Sequence, residues 1–406
     1  MNDAAAGMFM DVEESAIAED SHRLAPAAVS AVRTRTTLPV YFNEPKALDR
    51  LLAFANEVEG SDVHIGGEEP IRVRIHGHLK DVTPRLISSS EAFDLLVQAY
   101  GNNQSAEARI RAGDRVDTSY ECALGEKRTR WRVNASGRMK RATPDLRIVL
   151  RRITSLPPSV RDVYLDPRLI EVATNLTKGM CIITGPTGSG KSTTLAAILR
   201  YRIENPNDHC HIVTLEAPIE YSYDDVVSQN SVVTQIEIGL NLPSFAVGVE
   251  NALRQDPDVI LVGESRDHET ISASLLAAQT GHALYTTSHD NGVANTMRRM
   301  LRVFPENERE VTQLELASAL HMVLSQRLVP STDGKRVALR EWLIFDSQVK
   351  NMVRSADDVY VATQEALRQY GKPMIVDAQE YLRQERISRE EYLKIEHAAR
   401  LEGGLA

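Results

Sequence analysis

The chain has 406 residues, 42% of them hydrophobic and 25% charged, which implies two or three soluble domains with ordinary cores. A formal charge of −9 argues against general affinity for a nucleic-acid backbone, so no direct nucleic-acid binding is expected beyond a local basic channel in an assembled ring. Cys122, Cys181 and Cys210 are scattered and lack C-x-x-C spacing, which reads as buried thiols of a reducing, cytoplasmic compartment. No run approaches a membrane span, and six carboxylates precede Arg23, unlike a signal peptide, so membrane association is expected only through partners.

In chain order, residues 1–37 are Ala-rich and acidic, then Ser/Thr/Arg-rich, and read as a mobile extension. Residues 38–155 form a small α+β domain, with strand-like runs at Ile71–Ile75 and Thr129–Asn134 and helical stretches near residues 46–56 and 89–100. Proline punctuates residues 156–168, a linker. From 169 to 346 buried-strand runs alternate with helices, the pattern of a parallel-dominated sheet covered on both faces. The strands fall at Gly179–Thr184, His211–Leu215, Val259–Val262, Ala283–Thr287 and Val337–Phe345. The fold class is α/β with a RecA-like core, and residues 347–406 are helical, with a capping box at Ser388-Arg389-Glu390-Glu391 opening the last helix.

Gly185-Pro186-Thr187-Gly188-Ser189-Gly190-Lys191-Ser192 fits G-x-x-x-x-G-K-[ST] and lies between an apolar strand and the helix-like run from Thr193 to Leu199. The glycines free backbone amides to surround phosphate oxygens, and Lys191 reaches the β/γ-phosphates. Ser192 offers a hydroxyl to Mg²⁺, and Thr193 completes the nucleotide-binding set, with ATP as the expected ligand.

Hydrolysis needs further groups at the C-terminal ends of neighbouring strands. Asp258–Glu264 is an apolar strand, a glycine and an acid, so Glu264 can hold Mg²⁺ through a water; the alternative is an acid that merely caps a strand. Glu216 and Glu220 flank a proline-stiffened turn suited to orienting or deprotonating a water, although either fits a solvated surface charge equally well. His289 stands where a strand emerges near the loop and a γ-phosphate sensor would sit, while His282 suits a cap at the strand's start. Neither has metal-ligand spacing, so zinc is not expected.

These four segments, in this order, resemble the secretion ATPases of the PilT/GspE superfamily: the Walker A at Gly185–Ser192, the Asp box at Glu216–Tyr221, the Walker B at Asp256–Asp267 and the His box at Thr280–His289. Ser61–Ile65, Arg74–Gly77 and Arg132–Ala135 resemble the signatures of that family's N-terminal PAS-like domain. The resemblance implies catalytic roles for Glu220, Glu264, His289 and Glu216, and arginine fingers among Arg132, Arg138 and Arg151. It implies a homo-hexameric ring with ATP between its two domains, peripherally recruited to the inner membrane by components of a secretion or conjugation apparatus.

Two departures bear on function. Ala217 stands where the Asp box usually carries Asp, which removes a carboxylate near the metal. The His box continues Asn291-Gly292-Val293-Ala294-Asn295-Thr296-Met297-Arg298-Arg299, similar to the DotB/TraJ branch of type IVB secretion and conjugative transfer. Gln348–Arg354 resembles the retraction motif of the PilT branch, and paired C-x-x-C motifs of the GspE branch are missing. The resulting expectation is an ATPase motor of type IVB secretion or conjugation. A pilus retraction motor and a nucleotide-gated docking module with weak hydrolysis are the alternatives.

Overall fold

A computed structural model of the protein describes residues 37–122, 128–153 and 156–401, so all of the N-terminal extension except Thr37 lies outside the described residues. The chain divides into two compact units at Arg152 and Ile153, except that Asp117–Ser119 are grouped with the second.

The first unit runs α1 (Ala47–Glu57), β1 (Gly60–Gly66), β2 (Arg72–Ile75), β3 (His78–Asp81), α2 (Ser89–Ala99), α3 (Ser105–Arg111), β4 (Arg115–Cys122), β5 (Thr129–Lys140) and β6 (Thr143–Ile153). Its six-stranded sheet has the order β3-β2-β1-β6-β5-β4, and β1 pairs antiparallel with both β2 and β6. Alternate residues set the buried face: Trp131, Val133 and Ala135 from β5, with Leu146, Ile148 and Leu150 from β6, point into the core shared with α1. Helix α2 starts at a capping box in which Ser88 accepts from the Glu91 amide and Glu91 accepts from the Ser88 amide. Glu91 also takes two guanidinium nitrogens of Arg85 and the Phe42 amide, and Arg85 above all holds its carboxyl down at about 2.

Opposite the core, Glu69 gathers Lys140 at 2.5 Å, Arg147 at 2.7 Å and Arg138 at 2.8 Å. Burial alone would raise this carboxyl, but the hydrogen bonds from the three cations outweigh it and hold it at about 2.

The second unit runs α4 (Pro167–Thr174), β7 (Gly179–Thr184), α5 (Lys191–Glu204), β8 (His211–Glu216), β9 (Val232–Glu237), α6 (Phe245–Ala252), β10 (Val259–Val262) and α7 (His268–Gln279). It continues with β11 (Ala283–Ser288), α8 (Val293–Arg302), α9 (Arg309–Ala319), β12 (Leu320–Pro330), β13 (Arg336–Ile344), α10 (Ser347–Arg354), α11 (Val359–Tyr370), α12 (Met374–Arg383) and α13 (Arg389–Leu401). The seven strands lie in the order β13-β12-β7-β11-β10-β8-β9, all parallel neighbours except β12 and β13, which are antiparallel.

Helices cover both faces of this sheet, so its central strands β7, β10 and β11 are buried along their whole length. Met180 and Ile182 of β7 enter one core with Val213, Ile260 and Leu284, while Cys181 and Ile183 enter the other with Ile212, Leu261 and Tyr285. The three cysteines are buried and form no disulfide among the described residues. Helices α10 and α11 pack on the first core through Val349, Val353 and Leu367. Helices α12 and α13 form a further cluster with β12 and β13 through Ile375, Ala378, Ile395, Val329 and Leu339. The C-terminal helices are thus built into the second unit.

Two strands depart from the sequence reading. β9 is an edge strand with polar Thr234 and Gln235, which mute its apolar signal. β12 follows α9 with no residue between Ala319 and Leu320, so neither glycine nor proline marks the change of period.

The Glu69 cluster generates a stability test. Glu69→Gln leaves cations without their counter-charge and is expected to cost about 2–3 kcal/mol, read as a lower denaturant midpoint at unchanged m. Because the folded carboxyl sits near 2 and the unfolded one near 4.5, the wild-type advantage is full above 4.5 and is lost as pH falls through about 2.

Candidate functional site

The phosphate-binding loop leaves the C-terminal end of β7, the strand flanked by β11 and β12. Gly185, Gly188 and Gly190 have φ of 143°, 77° and 84°, conformations that side chains oppose. Space also demands glycine at 185, where a Cβ would lie 2.2 Å from the Gln326 carbonyl oxygen. Gly190 begins α5 without any side-chain cap, which leaves the first-turn amides to a ligand.

Lys191 is buried, and its ammonium donates to the carbonyl oxygens of Gly185 at 2.8 Å and Pro186 at 3.2 Å. Burial pushes its pKa down, opposed by Glu220 and Glu264. The same Nζ lies 3.3 Å from His289 Nδ1, and His289 Nε2 lies 3.5 Å from Glu264 Oε1. An imidazole between an ammonium and a carboxylate is oriented by both: Nδ1 accepts from Lys191 and Nε2–H faces Glu264. Lys191, His289 and Glu264 therefore form one chain of contacts drawn from three strand ends. Ser189 Oγ is buried with no hydrogen-bond partner among the described residues, a polar group left for a ligand inside the loop.

Behind this chain the strand ends are locked together. Gly263 donates its amide to Leu215 O at 2.7 Å, and Thr287 Oγ1 donates to Gly263 O at 2.5 Å. Thr184 Oγ1 donates to Asp290 O at 2.8 Å. Asp258 accepts from the His211 amide and Asp267 caps α7 through Thr270, so these two Walker B aspartates are structural.

At the end of β8, Glu216 accepts from Thr214 Oγ1 at 2.8 Å, Gln235 Nε2 at 3.3 Å and the Glu220 amide at 3.4 Å. Burial pushes this carboxyl up to about 7 despite those three donors. Glu220 and Ala217 are exposed on the following turn. Thr193 Oγ1 lies 3.0 Å from Tyr221 OH, which ties α5 to the same turn.

The remaining sequence candidates lie elsewhere. His282 sits at the start of β11, opposite His289, with Nδ1 3.1 Å from Ala277 O, where it closes α7. Arg132 and Arg138 are on β5 and Arg151 is on β6, all in the first unit. Arg138 donates to Glu69, Asp145 and Gly67 O, which gives its guanidinium a structural task within that unit. Arg151 donates to Asp62 Oδ1 at 2.7 Å while its side chain stays 72% exposed, and Arg132 is exposed.

Sequence reasoning missed Gln326, 1% exposed on β12 beneath the loop. Its Nε2 donates to Ser189 O at 2.6 Å and its Oε1 accepts from Thr194 Oγ1 at 2.9 Å, so one amide fixes the loop and the first turn of α5. The only available signal was an amide between Ser325 and Arg327, three polar residues set in a stretch from Met322 to Val329 that is apolar on either side of them. Its neighbour Ser325 accepts from the Gly292 amide at 3.1 Å, and Glu341 of β13 accepts from the Val293 amide at 2.8 Å, which position the start of α8 after His289.

This arrangement can hold a polyphosphate. The uncapped helix, the unpartnered Ser189 hydroxyl and an ammonium resting on its own loop's carbonyls suit phosphate oxygens. Ser192 with Glu264 suits Mg²⁺, a hard ion that keeps most of its waters and takes few protein ligands.

Residues 44–335 match the sequence model of the family described as "Type II/IV secretion system protein". The chain is 38% identical over 285 residues to the twitching motility protein of Neisseria gonorrhoeae, covering 70% of this chain and 72% of that one. It is 33% identical to the type IV pilus retraction ATPase PilT of Pseudomonas aeruginosa over 76% of this chain and 85% of the other. Among solved structures, the ATPase DotB of Legionella pneumophila superposes with a TM-score of 0.84 at 40% identity, covering 89% of this chain and 98% of that one. The pilus retraction motor PilT with bound ADP superposes at 0.72 with 32% identity, covering 86% of this chain and 97% of the other.

Two variants probe this geometry. Gln326→Leu removes both amide contacts and is expected to weaken ADP binding about tenfold, the equivalent of one to two hydrogen bonds, in an equilibrium titration. Glu216 is neutral in both states below about 4.5, and its folded carboxyl resists ionisation until about 7, so the wild type loses stability as pH rises through that window. Glu216→Gln is expected to abolish this component, so its melting advantage over wild type grows from pH 4.5 to above 7.

Proposed function

The chain belongs to the type II/IV secretion system protein family, whose PilT/GspE-type members are ATPases, and on that premise we propose that it is an ATP-hydrolysing motor of a type IVB secretion or conjugative transfer apparatus. The observation that carries the branch is the 40% identity to the DotB of Legionella pneumophila across 89% of this chain. In this reading the motor is a cytoplasmic homo-hexamer recruited to inner-membrane components. Among the described residues no helix is long and apolar enough to cross a membrane.

The side chains divide the work as follows. On ATP binding, the amides at the start of α5 and the Ser189 hydroxyl take phosphate oxygens, and Lys191 gives up its carbonyl contacts for the β/γ-phosphates. When bound with the nucleotide, Mg²⁺ supplies charge neutralisation between those phosphates, held by Ser192 and, through water, Glu264. Glu220 orients or deprotonates the attacking water, with Glu216 behind it as a carboxyl poised near neutrality. His289, already touching both Lys191 and Glu264, reports the γ-phosphate's presence by losing or keeping that bridge. Arg132 and Arg151 remain the candidates to approach ATP from the first unit.

A second reading, a pilus retraction motor, is favoured by the 38% identity to the twitching motility protein of Neisseria gonorrhoeae. In the α10 stretch that resembles a retraction motif, Lys350 and Arg354 both donate to Ser318 at the end of α9.

Lys191→Ala is expected to abolish ATP binding, whereas Glu264→Gln is expected to keep binding and lower turnover 10²-fold or more, on the order of one lost transition-state contact. Wild-type turnover in both variants would show the site to be elsewhere. ATP-dependent co-purification with secretion-channel components supports the first branch, and with a pilin-assembly platform the second.

A further inference from the structure

A cavity of about 350 Å³ lies behind the phosphate loop, entirely within the second unit, between the ends of β7 and β12 and the C-terminal helices α11, α12 and α13. This volume falls in the range of small-ligand sites. Its floor is apolar, from Leu367 of α11, Ile375 of α12 and Ile395 and Ala399 of α13. Its polar side includes Ser325, Gln326 and Arg327, consecutive residues of β12, and Arg368 of α11, and Pro186 of the loop itself adjoins them.

We propose that this cavity is a second, regulatory ligand site, which takes a small amphipathic anion with an apolar, preferably aromatic, body and is coupled to the nucleotide through β12. The apolar body matches the helical floor. The anionic group matches Arg327, exposed at the rim and without a carboxylate partner among the described residues. The one lining carboxylate, Glu341, already accepts the Val293 amide at the start of α8.

The coupling follows from what the wall residues already do. Gln326 holds Ser189 and Thr194, and a Cβ on Gly185 would clash with its backbone, so the loop has no slack against it. Ser325 holds the Gly292 amide, next to the strand end that carries His289. A ligand pressing on this stretch of β12 therefore shifts the phosphate loop and the His289 segment together. By linkage, nucleotide binding shifts the ligand's affinity by the same factor.

The test uses the full chain and 8-anilinonaphthalene-1-sulfonate, an aromatic monoanion, as the probe. Fluorescence titration without nucleotide is expected to show one saturable site per chain. Ala399→Trp, which fills the floor, is expected to abolish it, and Arg327→Glu, an exposed change that leaves the core alone, to weaken it at least about fivefold, as is ADP in wild type. Reciprocally, saturating dye is expected to weaken ADP by the same factor in wild type and to leave Ala399→Trp unaffected. Dye binding indifferent to both substitutions overturns the site, and dye binding with unchanged ADP affinity overturns the coupling. Because every readout is binding, a chain without ATP turnover would refute the motor reading while leaving this test decisive.

Discussion

The contact on which the active half of this molecule depends is the pair of hydrogen bonds from the Gln326 side chain to Ser189 and Thr194. A glycine-rich loop has many conformations available and must lose them to bind phosphate tightly. Buried beneath the loop, one side-chain amide settles that entropy in advance by tying the loop to its own helix. The donor and acceptor of a single planar group fix two points at once, which an apolar residue could not do.

Around that anchor the site is assembled from strand ends whose spacing the parallel sheet dictates. β7 supplies the loop, β8 Glu216, β10 leads to Glu264 and β11 to His289. Lys191 satisfies itself on its own loop's carbonyls and leans on His289, which leans on Glu264. The charges are therefore mutually compensated before a ligand arrives. A phosphate that recruits Lys191 necessarily changes what His289 and Glu264 feel.

Much of this was legible in the sequence where a motif coincides with a strand end. Gly185–Ser192, Glu264 and His289 were readable because loop chemistry and apolar runs sit side by side. The cap read at Ser388 follows local rules, and Ser388 Oγ accepts from the Glu391 amide at the start of the last helix. What escaped were interactions between residues far apart in the chain. Gln326 meets Ser189 from 137 positions away, and nothing in its own neighbourhood announces a partner. Arg138 illustrates the converse: the family resemblance suggested an arginine finger, but the carboxylates that engage it, Glu69 and Asp145, could be known only once the sheet was assembled. β12 was hidden because α9 runs into it without a turn.

That direct join has a mechanical meaning. A loop between a helix and a strand absorbs small shifts, whereas α9 passes into β12 at Ala319–Leu320 with no residue between them. The pairing of β12 with β7 shifts register between Leu320 and Met322, so the slack in this passage is confined to that step. Gln326 lies six residues beyond Leu320, roughly 20 Å along the strand. A displacement of α9, where Val311 and Leu314 are exposed, therefore has only that register shift, and no loop, to cross on its way to the residue beneath the phosphate loop.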